Sequence, residues 1–346
     1  MRYTLVTGAC GFVGRNLVKR LLATTQDAIV IVDDLSVGTD PATWLAPEYQ
    51  ADLQPSEKKS RLLYLPIDCR QFFREYRTTY KAQVEAAFGA YDTFDYAFHF
   101  AAIVGGRAKI DGDPMMVALD LSIDAEFFYW LTREKCRKAM FPSSSAAYPV
   151  KLQREDGAIA LRESDISFSD VGAPDMTYGW SKLTGEYLAQ IAAKYYGISV
   201  ACVRPFSGYG EDQDLSYPIP AIAARAARKE NPFEVWGSGH QGRDFVHIDD
   251  CIDVILQATE EISDGSAVNI GSGKLTSFRE IIALMSKFAG YEPEIKPLLD
   301  KPVGVHSRYC DISYVGQRLN WQPKISLEEG MRRVYEASVA RMAEQA

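Results

Sequence analysis

The chain is poor in the residues that build metal or disulfide chemistry. Its six cysteines, Cys10, Cys69, Cys136, Cys202, Cys251 and Cys310, never fall in CxxC spacing. Its four histidines, His99, His240, His247 and His306, form no ligand pattern, so no metal site is expected. Together with scattered cysteines, this suits a reduced, cytoplasmic compartment. No apolar run approaches the ~18 residues of a membrane span. Met1-Arg2-Tyr3 leads straight into strand-like Thr4-Leu5-Val6, leaving no room for a signal peptide. Internal repeats and low-complexity tracts are absent. A net charge of −8 argues against non-specific nucleic-acid binding. An anionic ligand must therefore be met by a few local arginines and by helix N-termini.

What is present is ordinary globular composition, 47% hydrophobic and 24% charged over 346 residues. That length exceeds the size at which a single core stops growing, so one large or two fused domains are expected. The first ~200 residues alternate short apolar runs with helical patterns, the signature of an α/β doubly wound parallel sheet. Strands are predicted at 2–6, 28–32, 62–65, 96–100, 139–143 and 199–203, and helices at 14–23, 122–137 and 178–196. The stretch 38–60 and the helical, Tyr-rich stretch 72–88 look like surface insertions. After Pro205, prolines at 218, 220, 232, 293, 297 and 302 punctuate short elements, which suits a smaller lobe. The division expected is 1–205 for a first domain and 206–346 mainly for a C-terminal lobe, some segments of which return to the first.

Gly8, Gly11 and Gly14 lie between the first strand and the first helix, in GxxGxxG spacing. Glycines there let the backbone approach a pyrophosphate, whose charge then rests on the helix N-terminus. Strand 2 ends in Asp33-Asp34. A carboxylate at that point accepts from both ribose hydroxyls and repels a 2′-phosphate, which favours NAD over NADP. Asp68 follows strand 3, where it can meet the adenine amino group. Ala101 and Ala102 follow strand 4, where small side chains let the backbone pass close to a cofactor. Tyr178 precedes Lys182 by one helical turn, so the ammonium shares its face and favours the phenolate. Such a phenol is a candidate acid/base beside a hydride-transferring dinucleotide.

TGACGFVG at 7–14 (with Phe12 and Val13), HFAA at 99–102, PSSSAAY at 142–148 and YGWSK at 178–182 follow in one order. RPFSGYG at 204–210, WGSGHQGRDFVHIDD at 236–250 and RYCDIS at 308–313 complete the set. Jointly they resemble the extended short-chain dehydrogenase/reductases that process nucleotide sugars, over nearly the whole chain. The resemblance implies a Rossmann-type NAD domain carrying the YxxxK pair and a C-terminal lobe that binds a nucleotide-diphosphate sugar. It makes Tyr178 the general acid/base at the sugar hydroxyl, with Lys182 lowering its pKa and holding the nicotinamide ribose. Ser144 then hydrogen-bonds the same sugar oxygen. Ser143 and Ser145 read as supporting residues, Ser145 at the edge of the substrate pocket. Arg243 and Arg308 match positions that grip the diphosphate, and Ser207 stands among the substrate contacts. Gly105-Gly106-Arg107 and Tyr148-Pro149 resemble the GDP-mannose 3,5-epimerase and GDP-fucose synthase branch, which tilts the substrate toward a GDP-sugar. Related enzymes pair the two long helices, so a homodimer is expected.

Three departures narrow the chemistry. Ala146 stands where that branch carries a catalytic cysteine, and Ser216-Tyr217-Pro218-Ile219-Pro220 lacks the partner lysine of the 3,5-epimerases. No acid follows Ser144 as in 4,6-dehydratases. Ser207 and Asp120 replace asparagines. What remains needs Ser144, Tyr178, Lys182 and NAD: epimerisation at C4 through a transient keto-sugar. A nucleotide-sugar dehydrogenase or ketoreductase, or a dehydratase, is the alternative. A non-catalytic NAD-binding sensor is a remote third.

Overall fold

The computed structural model describes residues 1–54, 59–103 and 107–344, the side chains of 107–109 excepted. Five-residue runs such as Ala28-Ile29-Val30-Ile31-Val32 are buried on both faces, which is why they read as unbroken apolar strands. In chain order they are β1 (Tyr3–Thr7), β2 (Ala28–Val32), β3 (Leu62–Leu65), β4 (Tyr96–His99), β5 (Lys138–Pro142) and β6 (Ser199–Pro205). A seventh strand, Asp264–Ile270, joins from the C-terminal part of the chain. The sheet is parallel throughout, in the order Asp264–Ile270, β6, β5, β4, β1, β2, β3. The strand order reverses between β1 and β4, so a crevice opens beyond their C-terminal ends.

Side chains alternate across the sheet. Leu5 and Val30 join a core with Phe72, Phe127 and Trp130, whereas Val6 and Ile31 join one with Leu17, Ile252 and Ile255. The second core is closed by α1 (Phe12–Thr24) and by the Ile248–Glu261 helix, so residues beyond 205 complete the sheet on that side. A third core holds Ile219, Phe233, Phe245, Ile281, Met285 and Met331. It belongs to the C-terminal lobe, where the Pro218–Ala227, Phe278–Phe288 and Leu327–Glu344 helices pack together.

The stretch 72–88 is not a surface insertion. It is the crossover from β3 to β4, and Phe72, Tyr76, Tyr80 and Val84 are buried on one face of it. Phe72 lies 6.1 Å from Trp130 and Phe94 lies 6.0 Å from Trp130, centroid to centroid. The tyrosines that gave a polar impression repeat every fourth residue and therefore share a face. The stretch 38–54 stays mostly at the surface, with Leu45 and Asp52 buried. The helix predicted at 122–137 runs Asp120–Glu134 and stops at Lys135, which has left-handed φ of 54°. Among the described residues no helix is long and apolar enough to cross a membrane.

Candidate active site

The crevice at the ends of β1 and β4 is built around glycine. Gly8 leaves β1 with φ of +66°, and a Cβ there would lie 2.3 Å from Ala101 N and 2.4 Å from Phe100 C. The two strand ends therefore touch, and only glycine fits between them. A Cβ on Gly14 would lie 2.2 Å from Gly8 O, so α1 seats directly on the turn. The α1 N-terminus begins at Gly11 with no side-chain cap and no acidic residue in its first turn. Its N–H groups thus face the crevice with their positive end unmet, as a pyrophosphate requires.

Asp33 is buried at the end of β2. It accepts from Cys10 N at 2.8 Å and from Leu35 N at 2.9 Å, which fixes its carboxylate beside the glycine turn. Burial raises its pKa against the pull of those two N–H groups. Asp34 is exposed and accepts from Ser36 N at 2.9 Å. Asp68 caps the Cys69–Glu75 helix through Arg70 N at 2.7 Å and shares its carboxylate with the Arg70 guanidinium, which lowers its pKa. Ala101 and Ala102 are half-buried just beyond β4. This cradle fits NAD: glycines and a bare helix N-terminus that would take the pyrophosphate, and a fixed Asp33 carboxylate that would take the ribose hydroxyls. Asp33→Asn removes the charge and keeps one acceptor. It is expected to cut the preference for NAD over NADP by about tenfold in parallel cofactor titrations.

Tyr178 and Lys182 sit on the Met176–Tyr196 helix, with Lys182 Nζ 5.9 Å from the Tyr178 ring centroid. Ser144 follows β5, and its Oγ accepts from Ala146 N at 3.1 Å. A backbone contact brings the two segments together: Asp175 N donates to Ala146 O at 2.9 Å. A Cβ on Gly179 would lie 2.4 Å from that same oxygen, so glycine allows the helix to close on the turn. The Ser144 hydroxyl is thereby brought near the Tyr178 phenol, and its pull as a potential donor acts to lower the phenol's pKa. Lys182 lowers it too, as expected from the spacing. The net direction is upward, because burial outweighs both and Asp120 opposes Lys182. The expectation of a lowered phenol pKa is thus corrected for the protein's own groups; the low dielectric that surrounds the pair was not visible in their spacing.

Sequence reasoning missed two supports of this centre. Below Lys182 lie Asp120, Asp124 and His99, all buried. The i, i+4 spacing of the two aspartates in line with the apolar face of Ile123, Phe127 and Leu131 was the available signal. Behind Ser144, Arg204 forms a two-pronged pair with Glu186 (2.8 and 2.7 Å) and donates to Tyr148 Oη at 3.0 Å. Ser143 donates to Glu186 as well, and this network ties the ends of β5 and β6 to the Tyr178 helix.

The predicted substrate residues are distributed around this centre. Arg243 and Arg308 are register partners on adjacent two-residue strands, Gly242–Arg243 and Ser307–Arg308. Arg243 donates to Gly242 O at 2.7 Å and Val303 O at 3.1 Å. Arg308 bonds Asp175 at 2.8 Å and also Gln153, so it links the arginine pair to the N-cap of the Tyr178 helix. Ser145 is buried in the turn after Ser144, and Ser207 is half-buried with its N–H bonded to Asp244 O at 2.9 Å. Gly105 and Gly106 lie outside the described residues; Arg107 opens the Arg107–Gly112 helix, with its side chain likewise outside.

Known proteins place this geometry in a family. The model of the NAD dependent epimerase/dehydratase family matches residues 4–271. GDP-mannose 3,5-epimerase of Arabidopsis thaliana is 30% identical over 249 residues, covering 70% of this chain and 64% of that protein. GDP-mannose 3,5-epimerase 1 of Oryza sativa subsp. indica is 25% identical over 335 residues, covering 95% and 80%. The solved UDP-glucuronic acid 4-epimerase of Bacillus cereus, in complex with UDP-glucuronic acid and NAD, superposes with a TM-score of 0.77 at 25% identity, covering 98% and 99%. The glycine cradle, the Ser144–Tyr178–Lys182 centre and these matches agree: the chain belongs to the NAD dependent epimerase/dehydratase family.

Proposed function

We propose that the protein is an NAD-dependent nucleotide-sugar epimerase that works at C4 through a transient keto-sugar. The observation that carries this reading is the meeting of Ser144 and Tyr178 around a turn whose next side chains are Ser145, Ala146 and Ala147. That turn offers a proton acceptor for a hydroxyl and no second acid/base for a carbon-bound proton. Bound NAD supplies the hydride acceptor and, in the return direction, the hydride donor. Tyr178 takes the hydroxyl proton as the sugar is oxidised and gives it back on reduction. Ser144 donates to the same oxygen and keeps it on the Tyr178 side. Lys182 holds the nicotinamide ribose, and Arg243 and Arg308 bind the diphosphate after exchanging their present acceptors for phosphate oxygens.

Residues 1–205 are proposed as the NAD domain and 206–346 mainly as the sugar-binding lobe. A GDP-sugar is favoured by the relatives named GDP-mannose 3,5-epimerase and GDP-L-fucose synthase. A homodimer through the two long helices is supported by exposed Leu121, Tyr129, Trp180 and Tyr187 on them; Phe127, Phe128 and Trp130 are core residues and take no part. Six buried free cysteines support a reduced, cytoplasmic setting.

The test is a panel of GDP- and UDP-sugars with purified protein and NAD, read by chromatography and by absorbance of NADH. Isomer formation without net NADH is the expected result. Stoichiometric NADH gives the dehydrogenase reading instead, and inertness toward every sugar with NAD bound gives the sensor.

A further inference from the structure

Lys182 meets Tyr178 on one side and two buried carboxylates on the other. Its Nζ lies 3.8 Å from Asp120 Oδ2 and 3.6 Å from Asp124 Oδ2, beyond hydrogen-bond length. Asp120 Oδ2 and both Asp124 oxygens are buried without a hydrogen-bond partner among the described residues. Asp120 takes one N–H, from Ile103.

Among the described residues, the other groups around the cluster bring no compensating cation. His99, on β4, accepts from or donates to Thr7 Oγ1 at 2.7 Å and faces Asp124 at 3.4 Å. Burial lowers its pKa, so the ring is neutral; a proton on Nε2 then points at Asp124, and Nδ1 accepts from Thr7. Ser181 and Ser144 are uncharged. Burial raises the Cys69 thiol and the Tyr217 phenol, so these are neutral as well. One ammonium therefore faces two carboxylates, a formal charge of −1 in a dry site. Ionising Tyr178 with both carboxylates charged takes it to −2, which low dielectric strongly disfavours.

We propose that Tyr178 and Asp120 share one proton at neutral pH, so that Asp120 is neutral whenever Tyr178 is ionised and thereby sets the proton affinity of the phenol. In the net step the Tyr178 O–H bond breaks and an O–H bond forms at Asp120 Oδ2. Lys182 stays an ammonium between them and the cluster keeps its charge. Asp120 rather than Asp124 takes the proton because Asp124 faces both Lys182 and the His99 N–H, whereas Asp120 faces Lys182 and otherwise only neutral donors, the Ser181 hydroxyl and the Ile103 N–H, among the described residues. Its carboxyl is pushed up to about 6 by burial, against Lys182 and with Asp124 adding to the rise. Asp120 is a positioning residue in this scheme, acting through Tyr178.

The inference rests on Tyr178 being the acid/base of the proposed reaction, and its test needs no sugar. The protein is labelled with fluorotyrosine, and the Tyr178 fluorine resonance is assigned by its loss in Tyr178→Phe. Its shift is then followed against pH. Asp120→Asn keeps the carbonyl that Ile103 N–H requires and removes the titrating group. It is expected to lower the Tyr178 midpoint by at least about one pH unit and to leave a single-step curve. Asp124→Asn keeps the exchangeable proton and is expected to lower the midpoint less. Asp120→Glu is expected to restore a two-step curve. A midpoint that stays put or rises in Asp120→Asn overturns the proposal. Should that variant not fold, a single-step Tyr178 curve in Asp120→Glu overturns it equally. Failure of the sugar panel with these shifts intact strikes the proposed function alone.

Discussion

Tyr178→Phe is expected to lower turnover of the accepted nucleotide sugar by at least about 10³-fold while NAD affinity changes little. The substitution removes one oxygen and leaves the ring, which packs one turn from Lys182 with the ammonium 5.9 Å from its centroid. The NAD cradle of Gly8, Gly11, Gly14 and Asp33 sits on β1, α1 and β2, elements that the change does not touch. Without the phenol, the hydroxyl proton has Ser144 alone, and an aliphatic hydroxyl is a far poorer acceptor. Steady-state kinetics on the sugar and a fluorescence titration with NAD check the two halves separately. Turnover within tenfold of the parent would remove Tyr178 from the chemistry. Loss of both turnover and NAD binding would mean that the phenol is structural.

Gly8→Ala is expected to destabilise the fold and to abolish measurable NAD binding, the largest single effect in the cofactor cradle. A side chain at φ of +66° costs about 1–2 kcal/mol in backbone strain alone. The added methyl also has nowhere to go: it would stand 2.3 Å from Ala101 N, 2.4 Å from Phe100 C and 2.6 Å from Phe100 O. These are backbone atoms of the segment leaving β4, so no rotamer relieves the clash. Overpacking of this kind adds about 1–3 kcal/mol. Relief requires β1 and β4 to part at their C-terminal ends, where the crevice lies. Thermal melting and NAD titration of the variant measure both consequences. An unchanged melting temperature with full NAD affinity would show that the strand ends separate freely and that the glycine is there by accident. Gly89→Ala makes a useful comparison, since nothing lies within 4 Å of its added Cβ, although its φ of +97° carries backbone strain of its own.

What could be read in the chain were features that are local in sequence. Strand runs such as 28–32 and the GxxGxxG turn declare themselves within a dozen residues, because backbone geometry and burial on both faces constrain each position. The Tyr178–Lys182 pair is equally local, one helical turn apart. The crossover at 72–88 failed for the opposite reason. Its tyrosines are polar by composition, and only the packing of Tyr76 and Tyr80 against Phe72 makes them core.

The sequence by itself determined six of the seven strands of the sheet, the glycine turn and the placing of Tyr178, the proposed acid/base, one helical turn before Lys182, all set by short-range spacing and by motifs. Tertiary structure decided what that acid/base is worth. It pinned Ser144 to Tyr178 through the Ala146 carbonyl, tied Arg308 to Asp175 at the N-cap of the Tyr178 helix, and stacked Asp120, Asp124 and His99 beneath Lys182. Proton affinity depends on burial and on charges from several separate elements. Those are fixed only when the chain has folded, which is why spacing predicted a lowered phenol and the closed site raises it.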